Sequence, residues 1–269
     1  MSVSIIKLTA SAGVGALALR ERQARRSAER LAAALLETLL NAIDATDAQT
    51  GAHVRRVAHY SLLMAEAADL PTHTRRTVER VALFHDIGKI SEALFDIMHD
   101  DDGDLSPAER DAIATHPARG AKVLVPLEAF YPELSDGVLS HHERWDGTGY
   151  PRGLRGEQIP LAARIVAIAD TFDAVTYTRR YSAAKSSRSG AEVIERGRGT
   201  QFDPDLADLF LFPPVFTRVE ALRARLCNPR PQRADRRQGR VEPTPDVRFR
   251  WRSVTPPRPL PDPEHQRSR

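Results

Sequence analysis

The chain has little cysteine and no long apolar run. Its single cysteine, Cys227, excludes a disulfide framework and fits a reducing compartment. No uninterrupted apolar stretch approaches the ~18 residues that a membrane-spanning helix needs. The mildly apolar start is interrupted by Lys7 and has no basic segment before it, which argues against a secretory signal. We therefore expect a cytoplasmic protein with no membrane association.

Outside the C-terminal tail the chain has no excess of basic residues over acidic ones. Residues 228–269 contain 11 arginines against 5 acidic residues, a local charge of +6, whereas the whole chain carries only +3. The same segment holds 9 of the 19 prolines and has little apolar periodicity. This composition predicts a disordered, basic Pro/Arg-rich tail. The net charge is therefore no evidence for specific nucleic-acid binding.

Strand-like patterns are also missing, as are internal repeats. Instead, leucine or isoleucine recurs at every fourth position from residue 31 to 43, which predicts a helix over about residues 27–45. That helix could also form a homodimer contact. We expect an N-terminal extension (1–26), an all-α helical bundle (27–213) and the low-complexity tail (214–269).

The pair His85-Asp86 stands in an unusually apolar segment. Val78, Val81 and Ala82 precede His85 at helical spacing, so its imidazole should face the interior. A buried carboxylate is tolerated only when it is paired or bound to a cation. The pair could therefore belong to a metal site, or it could be a core histidine beside a capping aspartate.

Other residues share this interior or loop-edge setting. The full set of candidates is His53, His85, Asp86, His116, His141, His142 and Asp170. Five imidazoles and two carboxylates exceed what one tetrahedral ion needs, and they suit two ions bridged by a carboxylate. Because no cysteine is among them, they favour Fe or Mn, and less distinctively Zn, Ni or Co. Two close metal ions activate water and neutralise a phosphoryl centre, so the predicted substrate is a phosphoester.

Local signals place these candidates on helices and loops. Ser106 to Glu109 forms a capping box that predicts a helix start, and Pro117 is expected to end that helix just after His116. Residues 165–175 are apolar on nearly every side and predict a buried helix around Asp170.

These blocks, in this order, resemble the HD-GYP family of the HD phosphohydrolase superfamily, from about Asp44 to Phe210. The matching blocks are Gly51-Ala52-His53, His85-Asp86-Ile87-Gly88-Lys89, His116-Pro117, His141-His142-Glu143-Arg144, Asp146-Gly147-Thr148-Gly149-Tyr150-Pro151, Ala169-Asp170-Thr171-Phe172-Asp173-Ala174 and Gly199-Thr200-Gln201-Phe202-Asp203-Pro204.

The resemblance implies an HD-type bundle that hydrolyses cyclic di-GMP to linear pGpG, and in some members further to GMP. It makes all seven candidates metal ligands, with Asp86 as the bridge, and a metal-bridging hydroxide as the nucleophile. Lys89 would contact the phosphate or that hydroxide. The loop of Gly149, Tyr150 and Pro151 would shape the pocket and could bind a diguanylate cyclase domain.

The chain departs from the family at three places. Gln49 stands where members with a third metal carry glutamate, so we expect two divalent ions, Fe or Mn. The phosphate-gripping block reads Arg179-Arg180-Tyr181-Ser182, in which the second basic position is lost, although Arg180 or Lys185 could compensate. Ser91-Glu92-Ala93 and the acidic loop after it replace residues that are usually less acidic, which should weaken the binding of a dianion.

Two alternatives to a cyclic di-GMP phosphodiesterase stay open at this point. One is an HD hydrolase of another nucleotide, for example a mixed cyclic dinucleotide. The other is a catalytically weak nucleotide-binding or protein-interaction module.

Overall fold

The computed structural model describes residues 2–90, 106–177 and 184–227. Its helices there are α1 (Ser2–Thr46), α2 (Ala48–Ala67), α3 (Thr72–Phe84), α4 (Pro107–Ile113), α5 (His116–Leu124), α6 (Leu134–Leu139), α7 (Leu161–Thr176), α8 (Ser187–Gly197), α9 (Pro204–Leu211) and α10 (Pro213–Cys227). Short 3-10 turns lie at Ile87–Ile90, Val125–Leu127 and Gly156–Gln158. No β-strand forms in these three ranges, so the prediction of an all-α bundle is confirmed. None of the described helices has both the length and the apolar character to cross a bilayer.

The first helix begins well before the predicted start at residue 27. It runs without a break to Thr46, one residue past the predicted end. Its buried side chains are Ala32, Leu36, Leu40 and Ile43. Leu31 and Leu35, on another face, are 63% and 46% exposed. The recurring leucine and isoleucine residues marked only the later part of this helix.

The core is built around α2, α3 and α7. Val57 of α2, Val81 of α3 and Ile165 of α7 are fully buried where these helices pack together. Phe172 of α7 is also buried, with its ring 5.3 Å from that of Tyr60. Because α7 is enclosed on nearly all sides, the aspartates on it must find partners inside the protein.

Two local signals had different outcomes. The capping box at Ser106 is present, with Glu109 completing it, so this predicted helix start is confirmed. Pro117, however, lies in the first turn of α5 and helps to begin that helix instead of ending α4. Proline is well tolerated there because the first helical N–H groups have no partner within the helix. His116 is consequently the first residue of α5.

The helical unit continues past the predicted boundary at residue 213. Helix α10 extends to Cys227 and packs on α2, and it buries Val215 and Val219, which lie one turn apart. These two valines anchor a segment that its composition assigned to the tail. Residues 228–269, the acidic loop within 91–105, and the block from Arg179 to Ser182 lie outside the described residues.

Candidate metal centre and substrate cavity

The structure brings all seven predicted ligands together. His53 comes from the second turn of α2, and Asp170 comes from α7. The other five lie at helix ends: His85 and Asp86 after α3, His116 at the start of α5, and His141 and His142 after α6.

A glycine allows two of these elements to meet. A side chain at Gly88, in the 3-10 turn after Asp86, would overlap the backbone of His116 and Gly120 on α5. The absence of a Cβ atom lets the two backbones approach closely. This contact brings His116 next to Asp86.

The candidates form two groups of potential ligand atoms. One group is His53, His85 and Asp86, and the other is His116, His141 and His142; within each group the ligand atoms lie within 4.8 Å of one another. We call the first the carboxylate group and the second the three-histidine group. In addition, Asp170 Oδ1 lies 3.2 Å from His53 Nε2, at the edge of the carboxylate group.

Asp86 presents one oxygen to the other members of the carboxylate group and the second oxygen to the three-histidine group. Its Oδ2 is 3.5 Å from His85 Nε2 and 3.8 Å from His53 Nε2. Its Oδ1 is 3.3 Å from His116 Nε2. Lys89 Nζ lies 2.8 Å from the same carboxylate. The two oxygens of Asp86 therefore face different histidines.

Three of the histidines are oriented by their own local backbone. In each, Nδ1 lies within hydrogen-bond distance of the carbonyl three residues earlier and therefore donates its proton to that oxygen, which leaves Nε2 free to act as a ligand. The pairs are His85 to Ala82 at 2.8 Å, His116 to Ile113 at 2.7 Å and His141 to Val138 at 2.6 Å.

His53 is oriented in another way. Its Nδ1 lies 2.7 Å from Oδ2 of Asp173, a residue 120 positions later in the chain. Arg56 holds that carboxylate with two hydrogen bonds, Nε to Oδ1 at 2.8 Å and Nη2 to Oδ2 at 2.9 Å. Carboxylates often orient a metal-binding histidine in this manner.

The protonation states of most of these groups suit cation binding. Burial, followed by the proximity of other imidazoles, lowers the pKa of His141 well below its usual value and that of His142 to about 4. Burial would raise the pKa of Asp86, but Lys89 and the nearby histidines hold it well below the usual range. Neutral imidazoles beside ionised carboxylates are the forms that ligate metals, so these three residues are in the required state. Burial lowers the pKa of His53, whereas hydrogen bonds to Asp170 and Asp173 raise it to about 9, so this ring must release a proton when it binds an ion.

One buried atom supports this reading directly. His85 Nε2 is buried and has no hydrogen-bond partner among the described residues. An unsatisfied polar atom of this kind is rare in protein interiors unless an ion or water completes it. The residues present therefore fit divalent metal ions held by imidazole and carboxylate groups.

A cavity of about 390 Å³ opens beside this centre. Its walls include His142, Tyr150, Asp170, Thr171 and Gln201. The ring of Tyr150 stacks on that of His142, with centroids 5.0 Å apart. Burial, followed by the charges of Asp86 and Asp170, raises the pKa of Tyr150 to about 12, so its phenol stays protonated. The cavity is thus lined by two members of the three-histidine group, His141 and His142, and by Asp170.

The loop of Gly149, Tyr150 and Pro151 forms one side of the cavity. A Cβ atom at Gly149 would overlap the backbone of Glu143 and Arg144, so only glycine allows this close approach. Just after this loop, the backbone N–H groups of Arg152 and Leu154 donate hydrogen bonds to the buried carboxylate of Glu143, at 2.7 and 3.0 Å. These bonds hold the end of the loop in place.

A comparison with protein-family models decides the family. The model described as the HD domain matches residues 37–206. The chain belongs to the HD domain family. The predicted resemblance to HD phosphohydrolases is thereby confirmed.

Curated relatives of this HD domain carry phosphodiesterase names. It is 38% identical over 177 residues to the cyclic di-GMP phosphodiesterase response regulator RpfG of Xanthomonas campestris, covering 65% of this chain and 46% of that protein. It is 37% identical over 178 residues to 3'3'-cGAMP-specific phosphodiesterase 3 of Vibrio cholerae, covering 64% of this chain and 38% of that protein. The chain thus spans half the length of these relatives or less.

Solved structures show the same fold. A cyclic GMP-AMP specific phosphodiesterase of V. cholerae superimposes with a TM-score of 0.52 at 23% identity, over 72% of this chain and 52% of that one. At this identity the likeness concerns the fold of the HD domain alone.

Not every predicted site residue reaches the centre. Lys89 contacts Asp86, and Gly149 and Tyr150 line the cavity, with Pro151 next in the chain. Arg179 lies outside the described residues. Lys185 is exposed and is not among the residues that line the cavity.

Sequence reasoning missed several residues of this HD domain that surround the ligands. Arg56, Glu143 and Asp173 were not predicted as site residues. Asp173 could have been found, because it lies one turn after Asp170 on a helix that is otherwise apolar and so requires a partner of its own. Arg56 follows His53 by three residues and shares its face of α2. The position of Glu143 gives no comparable signal.

Proposed function

We propose that this HD domain is a metal-dependent phosphodiesterase that hydrolyses cyclic di-GMP to linear pGpG, with GMP as a further product. The observation that carries this proposal is Asp86, whose two oxygens face two separate groups of ligand atoms. Such a carboxylate can hold two ions a few ångströms apart, which is the arrangement used to cleave phosphoesters.

The residues divide the work of holding the ions. The three-histidine group would hold one ion, and the carboxylate group together with Asp170 would hold the other. Both would share Asp86. When bound, divalent ions supply Lewis acidity toward the phosphoryl oxygens and lower the pKa of water. Imidazole and carboxylate ligands without thiolate favour Fe or Mn.

The chain's own groups would position the substrate and stabilise its charge. Lys89 lies beside Asp86 and would donate to a phosphoryl oxygen as negative charge develops there. The stacked rings of His142 and Tyr150 give the cavity a flat wall against which a nucleobase can pack. With a protonated phenol, Tyr150 would pack against the substrate without acting as a base.

A second candidate substrate is 3',3'-cGAMP. Relatives that match this chain at 33–37% identity are named as specific for that mixed dinucleotide. The two substrates share the phosphodiester geometry and differ in one base. The cavity beside Tyr150 would distinguish them, and the metal centre would not.

The test is anaerobic purification, elemental analysis and incubation with each dinucleotide, followed by chromatography of the products. We expect about two Fe or Mn per chain and linear pGpG from cyclic di-GMP. Faster cleavage of the mixed dinucleotide would favour the second candidate. Bound metal without any product would overturn the phosphodiesterase and favour a binding module. A lack of metal in the purified and reconstituted protein would reject the site assignment itself.

A further inference from the structure

Arg56 and Asp173 form a buried unit behind His53. Asp173 is only 1% exposed and touches both partners, His53 Nδ1 at 2.7 Å and Arg56 through two hydrogen bonds. Arg56 lies three residues after His53, so both project from the same face of α2 toward α7. The unit connects two helices that are distant in sequence and adjacent in the core.

His53 needs this unit because of its place in the helix. His85, His116 and His141 lie at helix ends, where a carbonyl of the preceding turn orients the ring. Within α2, where His53 lies in the second turn, the backbone carbonyls already accept hydrogen bonds from the helix itself. Asp173 therefore supplies the acceptor that the local backbone cannot.

Arg56 in turn makes Asp173 tolerable in the interior. An ionised carboxylate at this depth requires a counter-charge and further hydrogen bonds. The planar guanidinium satisfies both oxygens at once in a fork that a lysine cannot reproduce. Its charge and geometry therefore fix the orientation of the carboxylate, and through it that of the imidazole.

The unit is enclosed on its far side by the end of α7. The guanidinium of Arg56 lies 3.7 Å from the centre of the Tyr177 ring. Arg223 of α10 donates to the carbonyl of Thr176 at 2.8 Å and lies 5.9 Å from the same ring. Three helices thus hold Arg56 in place.

We propose that Arg56 and Asp173 are positioning residues that set the affinity of the carboxylate group for its ion and leave the three-histidine group unaffected. The proposal rests on the two-ion site of the proposed function. It concerns how one of the two ions is held. It predicts that loss of Arg56 or Asp173 weakens the binding of one ion and not of the other, which the ligand set alone does not predict.

The experiment is a titration of metal-free protein with Mn²⁺ under anaerobic conditions, with free Mn²⁺ read from its EPR signal. The wild-type chain should show two binding steps. Arg56→Met and Asp173→Asn should each weaken one step by ~10–100-fold, the range seen when a partner of a metal-binding histidine is lost. The other step should not change. Arg56→Lys should recover part of the loss, because it restores the charge without the fork.

Two comparisons separate positioning from a general loss of structure. Arg55 is adjacent on α2 and pairs with Asp44, which is not a predicted ligand, so Arg55→Met removes a more exposed ion pair from the same helix. It should leave both binding steps in place. The double variant Arg56→Met/Asp173→Asn should lose no more affinity than Asp173→Asn alone, because Arg56 acts only through Asp173.

The outcomes that contradict the two proposals differ. If the wild type shows two binding steps and Arg56→Met changes the affinity of neither, the positioning role is overturned and the proposed function is left intact. Equal weakening of both steps would also overturn it. Fewer than two steps in the wild type would overturn the two-ion site, and the positioning role with it.

Discussion

The two ligand groups of the centre are built by different means. The three-histidine group comes from α5 and the end of α6, and two of its rings are oriented by carbonyls only three residues away. The carboxylate group draws on α2 and α3, and its His53 depends on a residue 120 positions later. The first group needs correct helix ends, whereas the second needs the whole core to be packed.

The groups also differ in charge. In the three-histidine group, His141 and His142 are neutral, because burial and the proximity of other imidazoles keep their pKa values low. The carboxylate group has Asp86 within it and Asp170 at its edge. A divalent ion is therefore attracted more strongly to the carboxylate side before any difference in geometry is considered.

The largest effect should come from removing the residue that the groups share. Asp86→Ala should abolish both binding steps and lower kcat by more than ~10³-fold. Losing a single electrostatic contact to the transition state costs ~10²–10³-fold, and this variant loses both ions. Metal content and turnover of cyclic di-GMP measure this effect. Asp111→Ala, at an exposed position on α4, is the control. Retention of both ions in Asp86→Ala would show that the groups are independent.

Lys89 should affect turnover and leave both ions in place. It lies 2.8 Å from Asp86 but adds no ligand atom. We expect Lys89→Met to lower kcat by ~10²–10³-fold, the cost of losing one donor to a developing negative charge. Steady-state kinetics with elemental analysis tests this, with the exposed Lys122→Met as the control. A loss of metal in Lys89→Met would instead assign the lysine to the organisation of Asp86.

Single histidine variants should separate the groups. His116→Ala should remove the binding step of the three-histidine group, and His53→Ala should remove that of the carboxylate group. Each variant should therefore bind about one ion where the wild type binds about two. Mn²⁺ titration measures the content, and the exposed His73→Ala should retain both steps. If either variant lost both ions, occupancy of the two groups would be coupled.

The smallest expected effect is on stability. Because the ions bind only the folded chain, a metal concentration 100 times a site's dissociation constant adds about 2.7 kcal/mol. For a chain of this size that corresponds to an increase in melting temperature on the order of 5–10 °C. Scanning calorimetry with and without a chelator measures it. An unchanged melting temperature would mean that the groups are not occupied under those conditions.

What the sequence could predict depends on how local each signal is. The seven predicted ligands lie on apolar stripes or at helix ends, so their residue types and spacing were enough to single them out as candidates that the structure brings together. The early start of α1 and the helix at residues 213–227 were missed, because prediction followed the strongest leucine pattern at one end and the basic, proline-rich composition at the other. Asp173 and Arg56 meet only because α2 and α7 pack together, and helical spacing within one segment cannot show which segments meet.

The separation of His53 and Asp173 also bears on the order of events during synthesis. Chains emerge from the ribosome N-terminal end first at ~5–20 residues per second. All of the three-histidine group has been made when His142 is joined, whereas Asp170 and Asp173 follow about 30 residues later, after a few seconds. Until then the imidazole of His53 lacks its acceptor. The part of the centre that begins nearest the N-terminus is therefore the last part to be completed.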